Sequence, residues 1–255
     1  MTKYLTPPAF LTSLLPAILA LIMIAGFSNA YGEENASNPL AAVTNTDLRA
    51  KYFDLGGSIR RDYYVDGSVM ASPDLKIKYE LHYWNTDVTG SGENDWESLH
   101  LKPIYFPESV KGKYGEWKYK LAVGGEVIID FGNDDQGIGS GSDQVAPLLG
   151  LALSKGNTSL IPLVQHFTEY SGPDVNKTSF RLIALQAFPD HQMWVKLDNK
   201  VPVDWENDNE IPASIEVQLG KNYSPAFATY IDGLFGVGGD RDYDWGVGIG
   251  LRFNY

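Results

Sequence analysis

From about residue 47 to the C-terminus, apolar and polar residues alternate with period two, in segments about a dozen residues long that end at Gly, Pro, Asn, Asp or Ser. Successive side chains of a strand point to opposite faces, so each segment predicts a β-strand with one apolar face. Between Trp117 and Phe131 the odd positions are Trp117, Tyr119, Leu121, Val123, Gly125, Val127, Ile129 and Phe131, while the even positions include Lys118, Lys120, Glu126 and Asp130. Ile211, Ala213, Ile215, Val217 and Leu219 alternate with Ser214, Glu216 and Gln218. At the end of the chain Trp245, Val247, Ile249, Leu251, Phe253 and Tyr255 alternate with Asp244, Gly246, Gly248, Gly250, Arg252 and Asn254. No segment beyond residue 47 carries a convincing helical period.

A soluble β-sandwich alternates too, so strand length and strand ends must discriminate. The run from Trp117 to Phe131 is longer than the roughly 5 to 6 residues usual in soluble strands, whereas a tilted membrane strand needs roughly 9 to 11. Aromatic residues at segment ends (Trp84, Trp117 with Phe131, Trp205, Trp245 with Tyr255) match the two interfacial girdles of a lipid-facing wall. Breaks fall near residues 71–74, 86–95, 107–114, 132–143, 155–158, 171–176, 189–191, 204–210, 222–224 and 237–242. Every second break is polar and mostly longer, as in Glu93-Asn94-Asp95, Asn133-Asp134-Asp135 and Asp240-Arg241-Asp242. The other set is short, as in Ser72-Pro73, Pro189-Asp190 and Ser224-Pro225, with 107–114 the long exception. That asymmetry belongs to a barrel with short turns at one rim and loops at the other. Residues 47–70 supply the first hairpin, Leu48 to Leu55 and Ile59 to Met70, hinged at Gly56-Gly57. The expectation is an all-β fold, a closed antiparallel up-and-down transmembrane β-barrel over residues 47–255. It has about 12 strands, or 10 if that hairpin does not form.

The residues before the barrel divide in two. Lys3, an apolar run from Phe10 to Phe27 and the small residues of Ser28-Asn29-Ala30 predict a signal peptide over residues 1–30. A membrane anchor is the competing reading, weakened by Pro16 and Gly26. Residues 31–46 read as a polar periplasmic linker. The chain carries a net charge of −12, and without residues 1–30 it has 19 basic against 32 acidic residues, which disfavours a nucleic-acid partner. With no cysteine there is neither a disulfide nor a thiolate metal site.

Candidate chemistry follows from strand parity. If the apolar faces meet outer-membrane lipid, then Lys118, Lys120, Glu126, Asp130, Glu216, Gln218, Asp244 and Arg252 point into the lumen, where charges set what passes. The competing reading is that these groups pair across the lumen and hold the wall rigid. Gly246, Gly248 and Gly250 either widen the lumen or let the strand curve; no helix follows the glycine-rich tracts to receive a phosphate, so they form no nucleotide site. Of His82, His100, His166 and His191, only His166 has a hydroxyl, Thr168, on the same strand face, the minimum for a nucleophile and base pair. No hydrolase signature surrounds it, so no catalytic residue is assigned. Acidic loops such as Asp134-Asp135 and Asp204 to Glu210 lack EF-hand spacing and read as solvated, with no metal or cofactor expected.

Several segments together resemble the outer-membrane proteins described as transporters of the phenol meta-degradation pathway type. These are Leu121 to Gly132, Ala146-Pro147-Leu148-Leu149-Gly150-Leu151-Ala152-Leu153, Pro162-Leu163-Val164-Gln165-His166, Asp174-Val175-Asn176-Lys177-Thr178, Val203-Asp204-Trp205-Glu206 and Asp244 to Phe253. They cover a little over half the chain, and the N-terminal third departs from the pattern. The resemblance implies a barrel in the bacterial outer membrane that passes small molecules, hydrophobic or aromatic ones among them. It also implies that Tyr255 is the aromatic terminus read by the outer-membrane assembly machinery. A closed structural or surface-binding barrel acting through its acidic loops is the second reading, and a membrane lipid hydrolase a distant third.

Overall fold

A computed structural model describes residues 35–255. The expected signal peptide and linker residues 31–34 lie outside the described residues. Thirteen strands follow one another: β1 (Asn45–Asp54), β2 (Ile59–Ser72), β3 (Leu75–Thr86), β4 (Glu93–Tyr105), β5 (Lys111–Tyr114), β6 (Trp117–Asp130), β7 (Asp143–Lys155), β8 (Thr158–Ser171), β9 (Asn176–Phe188), β10 (Met193–Asp204), β11 (Ala213–Ser224), β12 (Phe227–Val237) and β13 (Trp245–Asn254). Twelve of them form a closed antiparallel barrel. The short β5 instead pairs with the start of β6 below the point where β4 ends.

Closure comes from β13 returning to β1 over ten paired positions, Asn45 opposite Asn254 through Asp54 opposite Trp245. Both ends of the described chain therefore lie at one rim, the terminal end, together with the short turns. The first hairpin hinges at Gly56 and Gly57, whose φ values of 75° and 142° are left-handed and suit glycine alone. The long break at 107–114 holds a 3₁₀ turn, Glu108–Val110, and β5.

Along β13 exposure alternates residue by residue. Val247 and Ile249 are 52% and 61% exposed, while Gly246, Gly248, Gly250 and Arg252 are buried. The same outward apolar face recurs on every neighbouring strand, with Leu149, Phe180, Leu182, Val217, Leu219, Ile231 and Phe235 all exposed. So large an apolar band is unfavourable in water at roughly 25 cal/mol per Å² and calls for an apolar surround. Aromatic pairs sit at both edges of the band, Tyr52 with Trp245 and Tyr83 with Trp96 at the loop end, Tyr223 with Phe227 and Phe227 with Phe253 at the terminal end.

Residues 35–44, expected to be linker, are packed inside the barrel. The Ser37 hydroxyl donates to Gln218 Oε1 at 2.9 Å, and Lys76 Nζ donates to the Ala41 carbonyl at 2.7 Å. Leu40, 1% exposed, packs with Ile104, Phe106, Ala122, Ala152, Ile161, Leu163 and Ile183. A segment with no period of its own is ordered here by partners on opposite walls. It crosses the lumen at the terminal end.

Candidate functional site: the barrel lumen

The inward faces of β9 to β1 carry a dense ionic network in two neighbouring groups. Arg252 donates through Nε and Nη2 to Asp47 at 2.7 to 3.0 Å, and its Nη1 donates to Ser37 Oγ at 2.8 Å, tying the inserted segment to the wall. Tyr230 donates to the same Asp47 at 2.7 Å, and its ring lies over Gly250, where a Cβ would come within 2.1 Å of the ring. Gln218 accepts from Trp194 Nε1 and donates to Asp232, which is ion-paired to Arg49 at 2.9 Å. Glu216 bridges Lys51 at 2.8 Å and Lys196 at 2.6 Å, and Asp198 binds Arg181. Charges this deeply placed are tolerable because each has an opposite partner.

A second network lies on β2, β3, β4 and β6. Glu126 accepts from Lys102 at 3.0 Å and from Gln165, and His100 Nδ1 stands 2.6 Å from it. Lys102 also reaches Glu80 at 2.7 Å, and His82 Nδ1 lies 3.0 Å from Asp62. Lys200 shares the inward parity of Trp194, Lys196 and Asp198 yet is exposed, directly across the ladder from Arg181.

The third sector is apolar. On β4, β6, β7, β8 and β9 the inward residues near the terminal end are Ile104, Ala122, Ala152, Ile161, Leu163 and Ile183, met by Leu40. A Cβ at Gly150 would come within 2.4 Å of Leu163 Cδ2 and 3.0 Å of Leu40 Cδ1, so both leucine side chains would have to shift to admit one. The same wall has interrupted backbone pairing. The β4–β6 ladder skips Lys102 and Pro103, and the β7–β8 ladder skips Ala146 with Pro147 and again opposite Pro162. Proline has no N–H to give a ladder, so Pro103 on β4 and Pro147 and Pro162 on β7 and β8 leave two seams of this wall short of hydrogen bonds, with the unbroken β6–β7 ladder between them.

Of the residues expected on the lumen wall, Glu126, Glu216, Gln218 and Arg252 lie in these networks. Lys120 points inward with Nζ 4.4 Å from the Phe106 ring centroid, and Lys118 is exposed on the β5–β6 extension beyond the wall. Asp130 and Asp244 differ from the expectation, because parity holds but both sit at the rim. Asp130 accepts from the backbone N–H of Gly132, Ser140 and Gly141 and so anchors the β6–β7 loop. Asp244 pairs with Arg241 at 2.6 Å in the exposed β12–β13 loop. Beside it, burial pushes the Tyr243 phenol up, with a hydrogen bond to Ser214 opposing the shift.

His166 faces outward, and the hydroxyl beside it is not that of Thr168: its Nδ1 lies 2.9 Å from Thr178 Oγ1, which also accepts from Trp205 Nε1 at 3.0 Å. Among the described residues no three His, Asp or Glu side chains are arranged to hold a metal ion. Asp47, Arg49, Lys51, Lys102, Arg181 and Lys196, all in the networks, escaped the sequence reading. Parity applied to β1, β4, β9 and β10 would have found them.

No family model and no curated protein matches the sequence. Solved structures do resemble the fold. The COG4313 outer membrane channel from Pseudomonas putida F1 matches with a TM-score of 0.60 at 8% identity, over 90% of this chain and 100% of that one. The NanC porin matches with a TM-score of 0.58 at 11% identity, over 82% and 98%. The KdgM porin matches with a TM-score of 0.53 at 8% identity, over 83% and 99%. The fold is therefore the closed antiparallel β-barrel that these outer-membrane proteins share.

Proposed function

We propose that this chain is an outer-membrane channel for small molecules whose path suits apolar or aromatic solutes. The observation that carries the reading is the apolar sector of the lumen. A water-filled pore presents polar residues to its interior, whereas here Ile104, Phe106, Ile161, Leu163 and Ile183 face inward around Leu40. The inserted segment obstructs the straight path to the periplasm. The weakly bonded wall at Pro103, Pro147 and Pro162 offers an exit toward lipid. Resemblance to channels supports the reading, as does the apolar outward face of the barrel; Tyr255, whose N–H donates to the Thr44 carbonyl, is its assembly signal.

A closed structural barrel is the second reading, favoured by the dense pairing of Asp47, Arg49, Asp232, Glu216 and Arg252. Planar-bilayer recordings separate the two. A channel obstructed by residues 35–44 gives a small ion conductance that rises when those residues are deleted; silence in both forms favours the closed barrel.

A further inference from the structure

At the loop end of the lumen Phe53 of β1, Arg60 of β2 and Trp84 of β3 share the inward face of three adjacent strands. Phe53 and Arg60 are direct partners across the β1–β2 ladder, and Trp84 stands opposite Asp62, the next inward position on β2. The Arg60 guanidinium carbon lies 4.7 Å from the Phe53 ring centroid and 4.3 Å from that of Trp84. Tyr243, from the β12–β13 loop, meets Phe53 edge-on at 4.9 Å and adds a third ring.

Buried polar atoms without a hydrogen bond occur elsewhere in the lumen, at Arg49 Nε, Asp66 Oδ1 and His82 Nε2, but those residues are ion-paired; what sets this cluster apart is an arginine that is not. Arg49, Arg181 and Arg252 each hold a carboxylate. Arg60, among the described residues, is in no ion pair. Asp62, Glu97 and Asp242 act on it only at longer range. Asp62 is engaged by His82 and Glu97 by the Ser98 hydroxyl. Arg60 Nε and Trp84 Nε1 are both buried and donate to nothing. Buried donors without acceptors are unfavourable unless something arrives to accept from them. A guanidinium with no ion pair, its Nε unused, and the unused Trp84 Nε1 beside it call for charged oxygens, and the rings around them call for an apolar body.

We propose that Phe53, Arg60, Trp84 and Tyr243 form a binding site for a small aromatic carboxylate. Its oxygens accept from Arg60 and Trp84 Nε1, and its ring packs against Phe53 and Tyr243. The site rests on the reading of the lumen as a solute path and narrows that reading to solutes carrying a carboxylate. The guanidinium fork matches a carboxylate in shape and charge, which a neutral aromatic alcohol offers only in part.

The test is calorimetric titration of the full folded chain in detergent with benzoate, benzyl alcohol and acetate. Benzoate binds saturably, and the other two bind at least about tenfold more weakly. Arg60→Gln removes the preference for benzoate over benzyl alcohol, Arg60→Lys keeps part of it, and Trp84→Phe weakens benzoate while sparing the ring contact. The mobility difference between unboiled and boiled samples checks that each variant folds. No benzoate binding, equal binding of benzyl alcohol or acetate, or an unaltered preference in a folded Arg60→Gln variant would overturn the site. Binding is read where no flux occurs. A barrel that binds benzoate but passes nothing contradicts only the channel reading, and one that passes solutes without binding benzoate contradicts only the site.

Discussion

Asp47 and Arg252 show how individual side chains were, and were not, readable in advance. Parity put Arg252 inside, but nothing local pairs it with a residue 205 positions earlier in the chain. The pair exists because β13 closes on β1. Breaking one half of so buried a pair costs about 3 to 5 kcal/mol, so Arg252→Gln lowers the urea midpoint, and Asp47→Asn combined with it restores part of the loss. The single variant also removes the Arg252 bond to Ser37, leaving only the bond to Gln218 on that hydroxyl, so limited proteolysis near residues 35–44 becomes faster. Asp130 carries a different expectation. It accepts three backbone N–H groups of the β6–β7 loop, and charge-assisted bonds contribute about 1.5 to 3 kcal/mol each. Asp130→Ala therefore leaves boiled and unboiled mobilities unchanged while exposing residues 131–142 to protease. Equal cleavage rates would contradict the anchoring role.

Among elements, the strands were legible because period-two alternation is strict wherever one face meets an apolar surround. The first hairpin, the least regular by sequence, forms because Gly56 and Gly57 permit a turn that side chains resist. Two elements were not legible. Residues 35–44 have no period, and besides their own turn bonds their order comes from distant partners, among them Gln218, Arg252, Lys76, Ser68 and the cluster around Leu40. The interruption of the β4–β6 and β7–β8 ladders could be suspected from Pro103, Pro147 and Pro162, but only the register shows that the two weakened seams flank the intact β6–β7 ladder. Replacing all three with Ala restores donors to the ladders. The expected outcome is slower amide exchange in β4, β7 and β8 together with slower entry of apolar solutes; faster exchange and unchanged entry would show that the prolines do not loosen the wall.

The whole molecule divides its charge by location. The chain is acidic overall, at −12, yet its lumen holds cations matched to carboxylates, so much of the acidic excess lies on loops such as Asp204 to Glu210. On the proposed channel reading, an interior polar on one side and apolar on the other, obstructed at the terminal end, favours apolar solutes over free ion flow. The direct measurement is entry of a radiolabelled aromatic solute into vesicles whose outer leaflet is lipopolysaccharide, with and without the reconstituted chain, alongside ion conductance. Faster solute entry with only a small conductance is the predicted result. A large unselective conductance, or entry no faster than in protein-free vesicles, would contradict the account.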